Sequence, residues 1–258
     1  MTALRSLVSN SVVPLRLLIA AISAAGCAGA ARLPVSAGTG ANPVLPAPEL
    51  ALIPVVNVVT AKGWPVNAGP QAATGLSVRA LARGLEHPRW IHVLPNGDVL
   101  VAETNAPKRP DDAKGIRGLF FKYFQKKAGG AVPSPDRITL LRDSDGDGVA
   151  ETRSLFLSGL RSPFGMALVG DALYVANTDA IVRFRYVAGA TRIGTPGVRV
   201  AALPAGPLNH HWTKNVVASP DGSKLFVAIG SNSNAGENGI AREEGRAMIW
   251  EMDAATGT

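Results

Sequence analysis

Three segments of this chain follow one plan: an apolar run, a turn built on Asp, Asn or Gly, a second apolar run and a polar exit. In the first, Ile91-His92-Val93-Leu94 passes through Pro95-Asn96-Gly97-Asp98 to Val99-Leu100-Val101-Ala102 and leaves as Glu103-Thr104-Asn105. In the second, Met166-Ala167-Leu168-Val169 turns at Gly170-Asp171 into Ala172-Leu173-Tyr174-Val175-Ala176 and leaves as Asn177-Thr178-Asp179. The third follows His211, turns at Pro220-Asp221-Gly222, continues as Lys224-Leu225-Phe226-Val227-Ala228-Ile229 and ends in a Ser/Asn-rich loop, 231–238. Short apolar runs bounded by such turns read as strand hairpins. A repeated unit of this kind buries its faces by stacking on its neighbours, and radial stacking builds a β-propeller. The turns at Asp171 and Asp221 lie about 50 residues apart, a plausible blade length. The expectation is therefore all-β, with about three blades within residues 76–258.

Composition agrees. The 28 glycines and 19 prolines suit many tight turns, and 47% hydrophobic with 17% charged residues reads as a packed globular chain. The lone cysteine, Cys27, excludes an intrachain disulfide.

Residues 1–27 read as an export signal. Arg5 and Arg16 precede or flank a short apolar core, Leu17-Leu18-Ile19-Ala20-Ala21-Ile22, and small residues lead to Cys27. Ala24-Ala25-Gly26-Cys27 resembles a bacterial lipobox with Ala24 where Leu is usual. The predicted outcome is lipidation of Cys27, or an ordinary signal cleavage close by. Both put the mature protein outside the cytoplasm, in the periplasm or on its membrane. Residues 28–50, rich in Ala, Pro and Gly, read as a tether, and 51–75 as a lead-in.

The formal net charge of +7 has a local origin. Residues 108–127 hold seven basic side chains against two aspartates, and the rest of the mature chain is balanced. Nucleic-acid binding needs a broader basic surface, so no such partner is expected. This basic stretch lies in an insertion, 106–135, that contains one predicted helix. Ile116, Leu119, Phe120, Tyr123 and Phe124 share a helical face with Lys122 and Lys126 beside it. An apolar helix face normally packs on its own protein; a membrane-surface contact or a partner site are the other readings.

Asp143-Ser144-Asp145-Gly146-Asp147-Gly148 matches the start of a calcium loop, in which alternate carboxylates converge on one hard cation. Glu151 holds the ninth position, but Ser154 stands at the twelfth, where a bidentate Glu is expected. A structural calcium site and a solvated Asp/Gly turn both remain open. His87 and His92 lack acidic or Cys partners at metal-ligand spacing and read as packing or rim residues. Glu103, Asn105, Asn177 and Asp179 close equivalent strands and read as residues of one rim. No nucleotide fingerprint and no G-x-S-x-G nucleophile motif is present.

Four stretches taken together resemble the glucose/sorbosone dehydrogenase family of pyrroloquinoline-quinone (PQQ) enzymes, nearest to its sorbosone dehydrogenase-like members. They are Gly84-Leu85-Glu86-His87-Pro88-Arg89-Trp90, the Asp/Gly loop from Arg142 to Gly148, Ser162-Pro163-Phe164-Gly165-Met166-Ala167-Leu168, and Asn209 to Asn238. The resemblance implies a six-bladed propeller with PQQ across the central channel and calcium beside it. It places the family's catalytic histidine on His211, as general base for the substrate C1 hydroxyl while hydride passes to the quinone. His210 stands where soluble glucose dehydrogenases carry a sugar-contacting Asp, and Leu160-Arg161-Ser162-Pro163-Phe164-Gly165 replaces another of their sugar-side stretches. His210 and Arg161 thus become candidate substrate contacts, for a sugar or aldehyde other than glucose. Asn232 and Asn234 are candidates beside the cofactor. The family's PQQ-gripping Lys and Arg residues come from later blades, so the expectation is the N-terminal part of an exported dehydrogenase. The alternatives are a non-catalytic, lipid-anchored propeller that binds without reacting, and a lactonase-like metal hydrolase using Asn177, Asp179 and Asn232.

Overall fold

The computed structural model describes residues 33–44, 58–66, 68–108, 115–130, 132–234, 236 and 238–258. The predicted signal and lipidation site at Cys27 lie outside the described residues. The chain divides into two units, 1–59 and 60–258. In the described part of the first, one 3-10 turn spans Val35–Gly38 and the surrounding residues are mostly exposed.

The second unit holds three antiparallel sheets. The first runs β1 (Pro88–Val93), β2 (Val99–Glu103), β3 (Arg137–Arg142) and β4 (Thr152–Leu157), paired in that order. The second runs β5 (Met166–Val169), β6 (Ala172–Ala176), β7 (Ala180–Arg185) and β8 (Val198–Ala202). The third is β9 (Lys214–Ala218), β10 (Lys224–Ile229) and β11 (Met248–Asp253). The three predicted hairpins are the first two strands of each sheet, and every sheet is a simple meander. These are consecutive blades of a β-propeller.

The period-2 alternation of strands explains why they stack. On β6, Leu173 and Val175 face the first blade and enter a cluster with Leu100, Ile138, Leu140 and Phe156. Their neighbours Tyr174 and Ala176 face the third blade and join Val216, Leu225, Val227 and Ile229. The middle blade is thus apolar on both faces, and burial of each large side chain contributes about 1.5–3 kcal/mol. A one-residue slip of β6 would exchange the two sets and lose both cores. Polar and aromatic contacts fix the stacking. Tyr174 donates its hydroxyl to the Ala254 carbonyl at 2.8 Å, and Trp90 lies against Phe164 with ring centroids 5.2 Å apart. At Gly165 a Cβ would overlap Asn215 and the Val216 amide, so glycine lets the second blade reach β9.

The outward faces of the first and third blades differ from the middle one. Ile91 and Val93 on β1, and Val217 and Ile249 on the third sheet, are more than half exposed. A closed propeller covers such faces with the next blade.

The predicted helix is present as α1, Gly115–Lys127, inserted between β2 and β3. It does not pack its apolar face on the blades: Leu119, Phe120 and Tyr123 point to solvent, Gly118 is buried and Phe124 is half-buried. At the rim from which the insertion springs, Glu103, Thr104 and Asn105 are buried polar groups. Among the described residues no helix is long and apolar enough to cross a membrane.

Candidate functional site

Strands β1, β5 and β9 start at one rim, and β2, β6 and β10 return to it. The segments around Pro88, Gly165 and His211 therefore meet the exits at Asn105, Asn177 and Ser231 on a single edge of the propeller. Hydrogen bonds join the blades there. Thr178 Oγ1 donates to the Trp212 carbonyl at 3.0 Å, and Asn209 Nδ2 donates to Thr178 Oγ1 at 3.2 Å.

His211 stands exposed on the turn ahead of β9. Its Nδ1 lies 2.8 Å from Ser231 Oγ and 3.2 Å from the Ser231 carbonyl. Ser231 Oγ donates its one proton to the Ser233 carbonyl at 2.8 Å. Both neighbours of Nδ1 are then acceptors, which assigns the ring proton to Nδ1 and the lone pair to Nε2. In this tautomer the Nε2 lone pair points away from Ser231, in a direction fixed by the Nδ1 contacts. Gly230 makes the arrangement possible: a Cβ there would sit 2.5 Å from His211 Cβ and 2.7 Å from its carbonyl oxygen.

The loop that carries Ser231 is anchored by Glu243. Its carboxylate accepts from Ser233 Oγ at 2.7 Å, Asn232 N at 2.6 Å and Ser233 N at 3.0 Å. The Ser233 hydroxyl and these amides hold its pKa below the usual carboxylate range. Asn232 is buried and committed to the loop. Its Nδ2 donates to the Leu208 carbonyl at 2.6 Å, and its Oδ1 accepts from Asn238 Nδ2 at 2.9 Å. The same residue's carbonyl accepts from His210 N at 3.0 Å, tying the histidine turn to the loop. Asn234 lies exposed further along, and His210 is half-buried.

Two cations lie beneath this turn. Lys214 has no exposed surface, and its Nζ donates to the His211 carbonyl over a long 3.5 Å. Burial, with Arg246 nearby, pushes its pKa down to about 8. Arg246 is also buried and donates to Asn209 Oδ1 at 2.8 Å and the Ala205 carbonyl at 2.5 Å. A third, Arg89 at the start of β1, is exposed, with its guanidinium carbon 5.5 Å from the centroid of the Trp212 ring. Beside the His211 turn a cleft of about 430 Å³ is lined by Pro207, Leu208, Asn232, Arg242 and Arg246.

Arg161 is on the same rim, its Nη1 2.8 Å from Asp179 Oδ2. It lines a small cleft with Lys108, Thr178 and Asn209. The expected rim residues are there, but as joints. Glu103 is fully buried against Arg137 and Thr139, Asn105 donates to the Val132 carbonyl at 2.6 Å, and Asn177 accepts from the Arg161 amide at 3.3 Å. His87 adopts a positive φ of 49° and gives its carbonyl to Thr104 N, while His92 is half-buried and its pKa is lowered by that burial.

The acidic loop occupies the opposite rim, between β3 and β4. Ligand oxygens of Asp143, Asp145, Asp147 and Glu151 all lie within 4.8 Å of one another. Asp143 accepts from Gly148 N at 2.8 Å and Gly146 N at 2.7 Å, which lowers its pKa. The cluster can converge on a hard cation, far from His211 across the length of the blade.

Sequence reasoning picked out His211 but missed its partner Ser231, the anchoring Glu243, the buried Lys214 and Arg246, and the Arg89–Trp212 stack. Ser231 and Trp212 stood in the quoted runs. Only the three-dimensional register shows what they touch.

The described residues form consecutive propeller blades with an oriented histidine on one rim. Residues 78–195 match the model of a family described as a domain of unknown function, DUF7133. No curated protein matches the chain. Among solved structures, it is similar to the iodide structure of a Trichoderma reesei carbohydrate-active enzyme of family AA12, at 17% identity and a TM-score of 0.51. That match covers 72% of this chain and 41% of the other. The calcium structure of the same enzyme family gives 18% identity, a TM-score of 0.50 and coverage of 72% and 40%. The holo form of the pyranose dehydrogenase PQQ domain from Coprinopsis cinerea gives 18% identity, a TM-score of 0.49 and coverage of 71% and 37%. At these identities the likeness is one of fold. The chain spans about two fifths of the length of these structures.

Proposed function

We propose that this chain is the N-terminal part of an exported, PQQ-dependent sugar or aldehyde dehydrogenase of the sorbosone dehydrogenase-like kind, with His211 as general base. The carrying observation is the His211–Ser231 pair, which fixes the proton on Nδ1 and leaves Nε2 to take one from a substrate hydroxyl. The resemblance of the Asn209–Asn238 stretch adds the cofactor and reaction class, and the propeller fold is the one such a reading requires.

The described residues fit PQQ in part. PQQ is a planar tricarboxylate, and Arg89 over Trp212 offers it a cation beside an aromatic surface. Lys214 and Arg246, the other cations near His211, are buried and bound to main-chain or amide oxygens. The remaining grip is assigned to later blades, in keeping with the share of each solved structure that this chain covers. When bound, the quinone would accept the hydride. The chain's own residues do the rest. Ser231 orients the imidazole, His211 takes the C1 hydroxyl proton at Nε2, and Glu243 holds the loop in place. His210 and Arg161 would face the substrate, and an aldehyde would react as its hydrate. Calcium at Asp143, Asp145 and Asp147 would be structural, since those residues lie on the opposite rim. Cys27 would carry the lipid that holds the protein at the periplasmic membrane surface.

The test is dye reduction by the complete gene product reconstituted with PQQ and calcium, over sorbosone and a panel of aldoses and aldehydes. Turnover with at least one sugar or aldehyde supports the reading. PQQ binding without turnover across the panel would leave the binding-module alternative, and absence of PQQ binding would remove the cofactor altogether.

A further inference from the structure

Helix α1 presents to solvent the residues a globular protein normally hides. Leu119 is 71% exposed, Phe120 61% and Tyr123 63%, on neighbouring positions of one face. Lys126 borders Leu119 on that face and Lys127 lies between Tyr123 and Phe120, both exposed. No acidic residue occurs from Gly115 to Gly130. The helix ends against the lead-in: Ala61 N donates to the Lys127 carbonyl at 3.2 Å. That contact places Trp64, 64% exposed, within about 10 Å of the helix C-terminus, with exposed Lys62 beside it.

We infer that this face docks on an anionic phospholipid surface, with Leu119, Phe120 and Tyr123 entering the headgroup boundary and Lys126, Lys127 and Lys62 meeting lipid phosphates. The mixture of residue types chooses the occupant. Lysine is depleted at the cores of protein–protein interfaces, where its charge must be stripped of water. At a bilayer surface its stem lies along the apolar layer and its ammonium stays with the headgroups. Tyr and Trp are likewise side chains that settle where apolar and wet layers meet. A second copy of the chain is disfavoured because it would bring two basic faces together. The insertion leaves and rejoins the blade at the rim that carries His211, so docking would turn that rim toward the membrane. This inference does not depend on the catalytic reading, and it holds for a binding module equally.

The experiment uses this chain with Cys27→Ser, which removes the proposed lipidation site and the one cysteine of its sequence, and Phe120→Cys labelled with an environment-sensitive dye. The probes are vesicles of phosphatidylcholine alone and of phosphatidylcholine mixed with phosphatidylglycerol. The expected result is a blue shift of the label and co-sedimentation with the anionic vesicles only, both weakening as salt is raised. Adding Leu119→Ser and Tyr123→Ser should weaken partitioning about tenfold or more, with an unchanged circular dichroism spectrum showing that the blades remain folded. A label that stays water-like while the chain sediments with both vesicle types would mean that the apolar N-terminal segment binds instead, and would overturn the inference. A blue shift that appears without vesicles and grows with protein concentration would overturn it in favour of a second copy.

Discussion

Replacing Lys214 with methionine should make the blades more stable at neutral pH and flatten a pH dependence that the native chain carries. Lys214 is fully buried, its ammonium has a long 3.5 Å bond to the His211 carbonyl, and the neighbouring charge is another cation, Arg246. Its pKa falls from 10.5 in the unfolded chain to about 8 in the folded one. Between those values the unfolded state binds more protons than the native state, so unfolding free energy rises with pH. The penalty is fully present below a pH of about 8 and is relieved as pH climbs toward 10.5. At about 1.4 kcal/mol per unit the shift is worth at most about 3.5 kcal/mol, and side-chain relaxation brings the expectation nearer 2 kcal/mol. Methionine keeps the length of the side chain and needs no partner for a charge. Urea unfolding followed by circular dichroism, at neutral pH and at about pH 9.5, reads both quantities. The expected result is a Lys214→Met chain more stable by about 2 kcal/mol at neutral pH, the gap closing in alkali. A variant less stable than the native chain at neutral pH, with the same alkaline rise, would show instead that the ammonium is held by favourable contacts.

Other expectations concern neighbouring features. Asp98, 2% exposed, takes two 2.7 Å bonds from Arg142, and these bonds, Arg142 first, depress its pKa. Its stabilising contribution is present above the ordinary carboxylate range and lost as pH falls through the depressed value. Asp98→Asn should cost about 2 kcal/mol at neutral pH, and the difference from the native chain should shrink as pH falls, measured by urea unfolding followed by fluorescence. Gly230→Ala should push the His211 turn away from Ser231 and destabilise the third blade by about 1–3 kcal/mol, read as a lowered thermal midpoint. Calcium added to the chelated protein should raise the thermal midpoint, and Asp143→Asn should abolish that rise, as scanning calorimetry would show.

The blades were legible because their physics is local and repeated. Apolar alternation in Leu173-Tyr174-Val175-Ala176 and the turns at Asp98, Asp171 and Asp221 declare hairpins without any long-range information. The helix was legible too, but not its orientation. Periodicity shows that Leu119, Phe120 and Tyr123 share a face, but it carries no information on what that face meets. His211 was found through its place before a strand and its resemblance to a family's base. Its tautomer came from Ser231 and Ser233, on the far side of a strand pair, and serine is too common in loops to signal such a role. Lys214 gave no warning, because one lysine at the start of a strand normally reaches water. Only the stacking of the second blade on β9 shuts it in.

We propose that His211 removes a proton from substrate in a PQQ-dependent dehydrogenase. The most direct measurement compares single-turnover dye reduction by the native complete protein and by His211→Ala, both shown to bind PQQ equally by titration. The expected result is retained PQQ binding with the reduction rate lowered about a hundredfold or more. Equal rates for the two proteins, at equal cofactor occupancy, would contradict it.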